Sequence, residues 1–410
     1  MLRHAFRLRA ALLVVSCLSL SACMSSGSSG SGSMPSFSGT TVVIGVDAPL
    51  TGSLAALGMG IANSVDLAVN VANRTHEVPG VTFKVEELDD QAQASIGAAN
   101  AQKLSGEGDV LGVVGPLNSG VAQVMQKTFN DSHLTEVSPS NTNPALSQGA
   151  DWATYKVRSY FSYYRTSTTD AMQGPFAATY ASQTLGKTKV FLINDGTLYG
   201  SGLNTTFRDQ FIRFGGAVAG QAQIAPGGHD YASLVSQVRA TSADFVYFGG
   251  TYPDAGPLSA ALKKAGIRVP VIGGDGIYDP AYIKLAGAHA EGDYATCVGT
   301  PVTQLASAKN YVAAYQAAGY KQPYAAYGGY AYDSAWAVIE AVKASAAQHP
   351  NGLPTDARLS VEAAMQQVSF AGVTGPVSFD AYGDPTNREL TMYEVKHGAW
   401  VAVKSGTMNG

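Results

Sequence analysis

"VLGVVGPLNSGVAQVMQ", Val110–Gln126, passes from an apolar run through Gly-Pro into a polar turn and then a helix-like stretch. Strand, glycine loop and helix start together make the shape of an anion cradle, because the unpaired amides that open a helix attract negative charge. The lysine of a phosphate-binding loop is missing, so G-x-x-x-x-G-K-[ST] does not describe it. What the turn holds has to be read from the segments around it.

Those segments repeat the same alternation. "TVVIGVDAPL" (41–50) precedes a helical pattern over 58–73, "VTFKVEEL" (81–88) one over 95–104, and "DVLGVVG" (109–115) one over 119–129. Short β-branched runs alternating with longer helical ones predict a parallel sheet with crossover helices. The rhythm restarts after residue 160: helix 168–185, "KVFLIN", helix 202–214, "AVAGQAQI", helix 231–239, "DFVYFGG", helix 255–265, "VPVIGG". Two successive doubly wound, Rossmann-like α/β lobes follow, each with ligand-capable loops at the carboxyl ends of its strands. Helical stretches at 305–318, 325–346 and 357–368, then "GPVSFDAYGD" and a hairpin "LTMYEVKHGAWVAV" turning at "HG", complete these lobes rather than build a third.

The 410 residues, 46% apolar and 14% charged, suffice for two such units. At the N-terminus, Arg3, Arg7 and Arg9 precede "ALLVVSCLSLSA" (11–22), about half the length needed to span a bilayer, which reads as a secretory signal over residues 1–22. "LSAC", Leu20–Cys23, resembles the bacterial lipobox and makes Cys23 the lipidated first residue. A Gly/Ser tract over 23–39 then acts as a leash. No later segment reads as long and apolar enough to span a membrane. With Cys17 in the signal and Cys23 carrying lipid, only Cys297 is left, in a strand-like "GDYATCVGT" where a buried thiol is expected. Removing residues 1–22 takes three of the 26 Lys+Arg, leaving 23 against 30 Asp+Glu and a net charge of −7. That balance, with no basic patch, argues against nucleic acid as a partner.

Catalytic and cofactor chemistry finds no anchor. "GMGIAN" (58–63) lacks the third glycine of a dinucleotide fingerprint, G-x-S-x-G, C-x-x-C and H-E-x-x-H do not occur, and seven histidines are scattered singly. Asp89-Asp90 sits at a strand end, where solvated turn residues are commoner than acid/base dyads. The expectation is a protein that is not an enzyme and carries no cofactor or metal.

What remains is a set of loops after strands: "GPLNSG" (115–120), "SPSNTNPAL" (138–146), "NDGTLYGSG" (194–202), "GGTYPDAG" (249–256) and "GGDGIYDP" (273–280). Their glycines allow close backbone approach, and their hydroxyls and helix starts donate to an anion, a carboxylate as readily as a phosphate. In the order of these landmarks, with "IGVDAPLTGSLAALG" before them, the chain resembles the type I periplasmic solute-binding proteins, specifically the branched-chain amino-acid binding component of ABC importers, over residues 41–403. By position the resemblance implies that Ser119 and Thr142, with the backbone at Ser140, hold a ligand carboxylate, that Asp275 takes the ammonium, and that Tyr199 stacks from the second lobe. Taken alone, Ser119 and Thr142 read as cap or turn residues, Asp275 as an Asx-turn and Tyr199 as helix-start packing. Leu57 stands where relatives often carry an aromatic, Thr251 where they carry tyrosine, and no cysteine lies near Asn118 for the disulfide of some relatives. The pocket is therefore altered, and leucine does not follow as the ligand. The run Tyr324, Tyr327, Tyr330, Tyr332, Trp336 reads as core, with one of the first two open to ligand contact.

The resemblance further implies three hinge crossings, placed near 160, 300 and 386, so that 40–160 and 301–385 form one lobe and 161–300 and 386–410 the other. It implies a monomer that traps a small amino-acid-like ligand and delivers it to an ABC permease from the periplasm, tethered to the membrane by lipid. A sensing or protein-interaction lipoprotein on the same fold is the alternative, and an enzyme stands third. Metabolic labelling with a fatty acid checks the anchor: wild type should take up label and Cys23→Ser should not, and equal labelling of both would remove it.

Overall fold

A computed structural model of the chain describes residues 39–228, 231–349 and 352–408. The expected signal, Cys23 and the Gly/Ser tract up to Ser38 lie outside these residues. Thr40–Ala48 (β1), Val81–Asp89 (β2), Val110–Val114 (β3), Thr135–Ser138 (β4) and Tyr163–Arg165 (β5) pair in parallel, in the order β2-β1-β3-β4-β5. Lys189–Asn194 (β6), Ala217–Gln223 (β7), Phe245–Gly249 (β8), Val271–Gly273 (β9) and Tyr294–Val298 (β10) repeat that order as β7-β6-β8-β9-β10, again parallel. Ser369–Gly372 (β11) and Gly375–Ser378 (β12) form a separate two-stranded hairpin. Glu389–Lys396 (β13) and Ala399–Thr407 (β14), turning at His397-Gly398 as expected, extend the second sheet antiparallel from β10.

A parallel sheet needs both faces covered, which is why β3 and β8 are buried along their whole length. Successive residues of β1 divide between two cores: Val42, Ile44 and Val46 pack with Ile61, Val65 and Val338, while Val43 joins Leu104, Val121, Met125 and Phe129. The helices Ala55–Thr75 and Gly328–Ala347 thus cover one face of the first sheet, and Ala94–Gly106 and Ser119–Asp131 the other.

Ala55–Thr75 corrects one expectation, for by length and composition it is apolar enough to cross a membrane. It is nevertheless a core helix. Most of its residues, Leu57, Ile61, Val65 and Ala68 among them, are buried against β1 and Gly328–Ala347.

The chain passes between the sheets three times. After β5 it enters the helix Asp170–Thr179, which packs on Leu198–Arg213 and β10; after β10 it returns to the helices that cover the first sheet; after β12 it crosses again to β13. The first sheet runs on to Arg165, past the crossing placed near 160, because Tyr163–Arg165 are buried and pair with β4.

Arg165 is fully buried where two crossings meet. Its Nε donates to Asp384 Oδ1 at 2.7 Å and its Nη1 to the Asn141 and Asn143 carbonyls, both at 2.9 Å; Nη2 reaches Ser147 Oγ. Burial alone would raise the Asp384 carboxyl, yet Arg165 and the donors Gln148 and Ser147 hold it below the usual carboxylate range. Its contribution to stability is therefore present above the ordinary carboxylate pKa and lost as pH falls below it. Breaking a buried pair leaves an uncompensated charge, so Arg165→Met should lower unfolding free energy by about 3–5 kcal/mol. Urea denaturation at pH 7 measures this, and a loss under about 1 kcal/mol would remove the clamp role assigned to the pair.

Candidate ligand-binding site

In doubly wound sheets the crevice opens outside the carboxyl ends of the strands, where strand order reverses. Here that point lies between β1 and β3 in one lobe and between β6 and β8 in the other. The loops leaving these strands enclose a cavity of about 30 Å³ between the lobes, room for one or two waters.

The first wall is built on the Val110–Gln126 stretch. β3 leaves through Gly115 at φ +128°, where a Cβ would lie 2.0 Å from the Asp47 carbonyl, so only glycine admits this turn. The helix Ser119–Asp131 then begins with the Val121 and Ala122 amides bonded to the Asn118 carbonyl. The amides of Ser119 and Gly120 come before that first bond, and Ser119, 2% exposed, lines the cavity beside Leu117 and Asn118. Leu57 lines it from Ala55–Thr75.

The loop after β4 is laced to this wall: Asn141 Nδ2 donates to the Pro116 and Leu117 carbonyls at 3.0 and 2.9 Å. Ser140 lines the cavity, but its hydroxyl is spent on the Leu117 carbonyl at 3.1 Å. Thr142 is not brought to the wall. It is fully buried behind it, with its carbonyl accepting the Asp170 amide at 2.7 Å, because Arg165 draws the carbonyls on either side of it inward.

On the second wall, Asp195 Oδ1 accepts from the Thr197 amide and hydroxyl at 3.0 and 2.6 Å, and Thr197 Oγ1 accepts the Gly200 amide at 3.0 Å. This cap starts the helix Leu198–Arg213 and places Tyr199 in its first turn, facing the cavity. Thr251, at the start of Tyr252–Lys264, lines the same space.

Among the described residues Asp275 is the only acid on the cavity wall, and it is 1% exposed. Its side chain makes no Asx-turn; Oδ1 accepts from Tyr199 Oη at 2.8 Å and Gln173 Nε2 at 3.0 Å, and Oδ2 from Tyr327 Oη at 2.8 Å. Tyr327 comes from the first lobe, immediately before Gly328–Ala347. The glycine after Asp275 has a physical reason, since a Cβ on Gly276 would lie 2.7 Å from the Gly250 carbonyl and 2.9 Å from the Tyr199 ring. Burial raises the Asp275 carboxyl above its usual range while the three donors pull it back. Burial, followed by the charge on Asp275, pushes the Tyr199 and Tyr327 phenols well up, so both remain donors.

Six of the seven ligand positions expected from the sequence thus meet at one cavity, and Thr142 stands behind it. Tyr327, held open as one of two tyrosines, is the one that reaches the site. Gln173 was missed; the legible signal was its i, i+3 spacing from Asp170 on an otherwise apolar helix. Two further bonds join the lobes beside the cavity, Tyr252 Oη to the Ser53 carbonyl at 2.6 Å and Asn143 Nδ2 to the Leu198 carbonyl at 2.8 Å.

A family model described as periplasmic binding protein matches residues 41–399. The chain belongs to this family. As a periplasmic binding protein it is 29% identical over 358 residues to Leu/Ile/Val-binding protein homolog 2 of Brucella abortus, covering 87% of this chain and 91% of that one. Its fold is that of the leucine binding protein LivK from Thermotoga maritima, at a TM-score of 0.78 and 23% identity over 89% of this chain and 98% of that one. A solute binding protein of an ABC transporter from R. palustris, solved in complex with benzoate, superposes at a TM-score of 0.77 with 21% identity, over 90% and 96%. The two-lobed, type I architecture is therefore shared throughout this group.

The Tyr327–Asp275 bond is available only when the lobes are together. A hydrogen bond to a charged group contributes roughly 1.5–3 kcal/mol. Tyr327→Phe should therefore shift the ligand-free periplasmic binding protein toward open forms, seen as a larger radius of gyration in X-ray scattering with near-native melting; an unchanged radius would show that this bond does not hold the lobes.

Proposed function

We propose that this protein binds a small amino-acid-like solute between its lobes, a branched-chain amino acid first among candidates, and passes it to an ABC permease. The observation that carries the reading is the buried Asp275 carboxylate on one wall opposite the Ser119 helix start on the other. A helix start with a free hydroxyl suits a carboxylate, and a buried acid suits an ammonium. The two ends of an amino acid thus find opposite partners on opposite lobes. The names of the Brucella and Thermotoga relatives support the same substrate class. Leu57 and Leu117 supply the apolar surface for a side chain.

Ligand access requires the lobes to part, because the space between them has room for only one or two waters. Moving such a hinge from about 1:99 to 99:1 takes about 5.5 kcal/mol of differential binding. Two or three charge-assisted bonds made only on closure supply that. Asp275 and Tyr199 from the second lobe and the Ser119 helix start from the first are the groups we assign to it. In this reading the protein acts extracytoplasmically without catalysis, and lipid on Cys23 keeps it near the permease.

A thermal-shift screen of the protein against amino acids, small amides and carboxylates tests the class, since a bound ligand raises apparent stability by mass action. Among the hits, Asp275→Asn should weaken an amine-bearing ligand roughly 10- to 100-fold by calorimetry with the fold retained. Equal affinity in wild type and variant would remove the ammonium role.

A further inference from the structure

Behind the cavity lies a second acid that the ligand contacts do not use. Asp170 opens the helix Asp170–Thr179 on the first crossing and is fully buried. Gln173, one turn on, has its amide orientation set from one side: Oε1 accepts the Asp275 amide and the Thr296 hydroxyl, both at 2.7 Å. Nε2 is thereby directed at two carboxylates, Asp275 Oδ1 at 3.0 Å and Asp170 Oδ1 at 3.3 Å. Asp170 Oδ2 is buried with no hydrogen-bond partner among the described residues.

The groups facing this pair from the packed elements are Arg165 at the end of β5, the Thr142 hydroxyl, Tyr247 on β8, Tyr199, Tyr327 and the Cys297 thiol on β10. Arg165 is the one cation among them, and it is committed to Asp384, two carbonyls and Ser147. Two buried carboxylates joined by a single neutral amide are not both ionised cheaply. Asp275 has three donors within 3.0 Å, whereas Asp170 has the shared amide at 3.3 Å and the Thr142 hydroxyl nearby without a well-formed bond, so the proton belongs on Asp170. Burial, and after it the charge on Asp275, push the Asp170 carboxyl well above its usual range.

We infer that Asp170 and Gln173 set the charge state of the ligand site: Asp170 and Asp275 hold one proton between them, and a cationic ligand group docking on Asp275 expels it to solvent. The inference rests on the reading of Asp275 as the partner of a ligand ammonium. Once that charge is cancelled, the helix start and Arg165 favour ionised Asp170. Gln173 is the positioning residue, because it holds both acids on one amide. Release of one proton makes affinity rise with pH, by up to about tenfold per unit.

The test is calorimetry of the full chain with L-leucine, L-isoleucine and L-valine at pH 6, 7 and 8, in phosphate and in Tris. The expected result is a buffer-dependent heat equal to release of up to one proton, with affinity rising toward pH 8, and loss of both in Asp170→Asn. Should that variant fail to fold, carboxyl ¹³C NMR of the wild type reads the same event: Asp170 protonated at pH 7 alone and ionised with ligand. Asp170 ionised in the ligand-free protein at pH 7, or binding without proton release, overturns the inference while leaving the ammonium reading standing. No binding by any of the three overturns the branched-chain reading of the site, and the expulsion argued on it.

Discussion

A carboxylate taken out of water must be met by donors wherever it ends up, and Asp275 is met by donors from two lobes at once. Tyr199 and Gln173 belong to the second lobe and its crossing segment, and Tyr327 to the first. Their arrangement ties the geometry of the hinge to the charge of a single side chain. Parting the lobes removes the Tyr327 donor and admits water in its place; closing them makes the site dry again and every contact with Asp275 stronger. Gly276 lets the backbone beside Asp275 pass close to the Gly250 carbonyl and the Tyr199 ring.

Two buried acids near the hinge are handled in opposite ways. Asp384 has Arg165 directly on it and is held ionised, so it works as a fixed clamp between the first and third crossings. Asp170 and Asp275 share no cation of their own, and their charge is free to respond to what enters the cavity. The same physical cost, burial of a carboxylate, thus gives rigidity at one point and responsiveness at another. The difference is whether a guanidinium lies within hydrogen-bond distance.

The relatives place these features in a setting of solute capture. The fold is shared with proteins whose names and complexes include leucine and benzoate, so the architecture accommodates different small carboxylates. In this chain Leu57, Thr251 and Tyr327 stand on the cavity wall beside Asp275, and the Ser119 helix start lines the same space.

The alternation of β-branched runs and helical stretches was enough to read two parallel α/β lobes, because parallel strands are buried on both faces and crossover helices keep a 3.6-residue period. The loops at strand ends could be read for the same reason, since glycine, serine and threonine mark where backbone must approach a ligand. Short strands were harder: Tyr163–Arg165 has three residues and no period of its own, so its place on the first sheet appears only when it pairs with β4. The helix Ala55–Thr75 shows the converse, with a composition that fits a membrane and a burial that comes from its neighbours. Tertiary structure alone decided that Thr142 sits behind the wall, that Tyr327 crosses from one lobe to bond Asp275 in the other, and that Gln173 bridges two acids 105 positions apart along the chain. Side-chain hydrogen bonds of that reach carry no periodicity, and only the packed chain brings their atoms within 3 Å or so of each other.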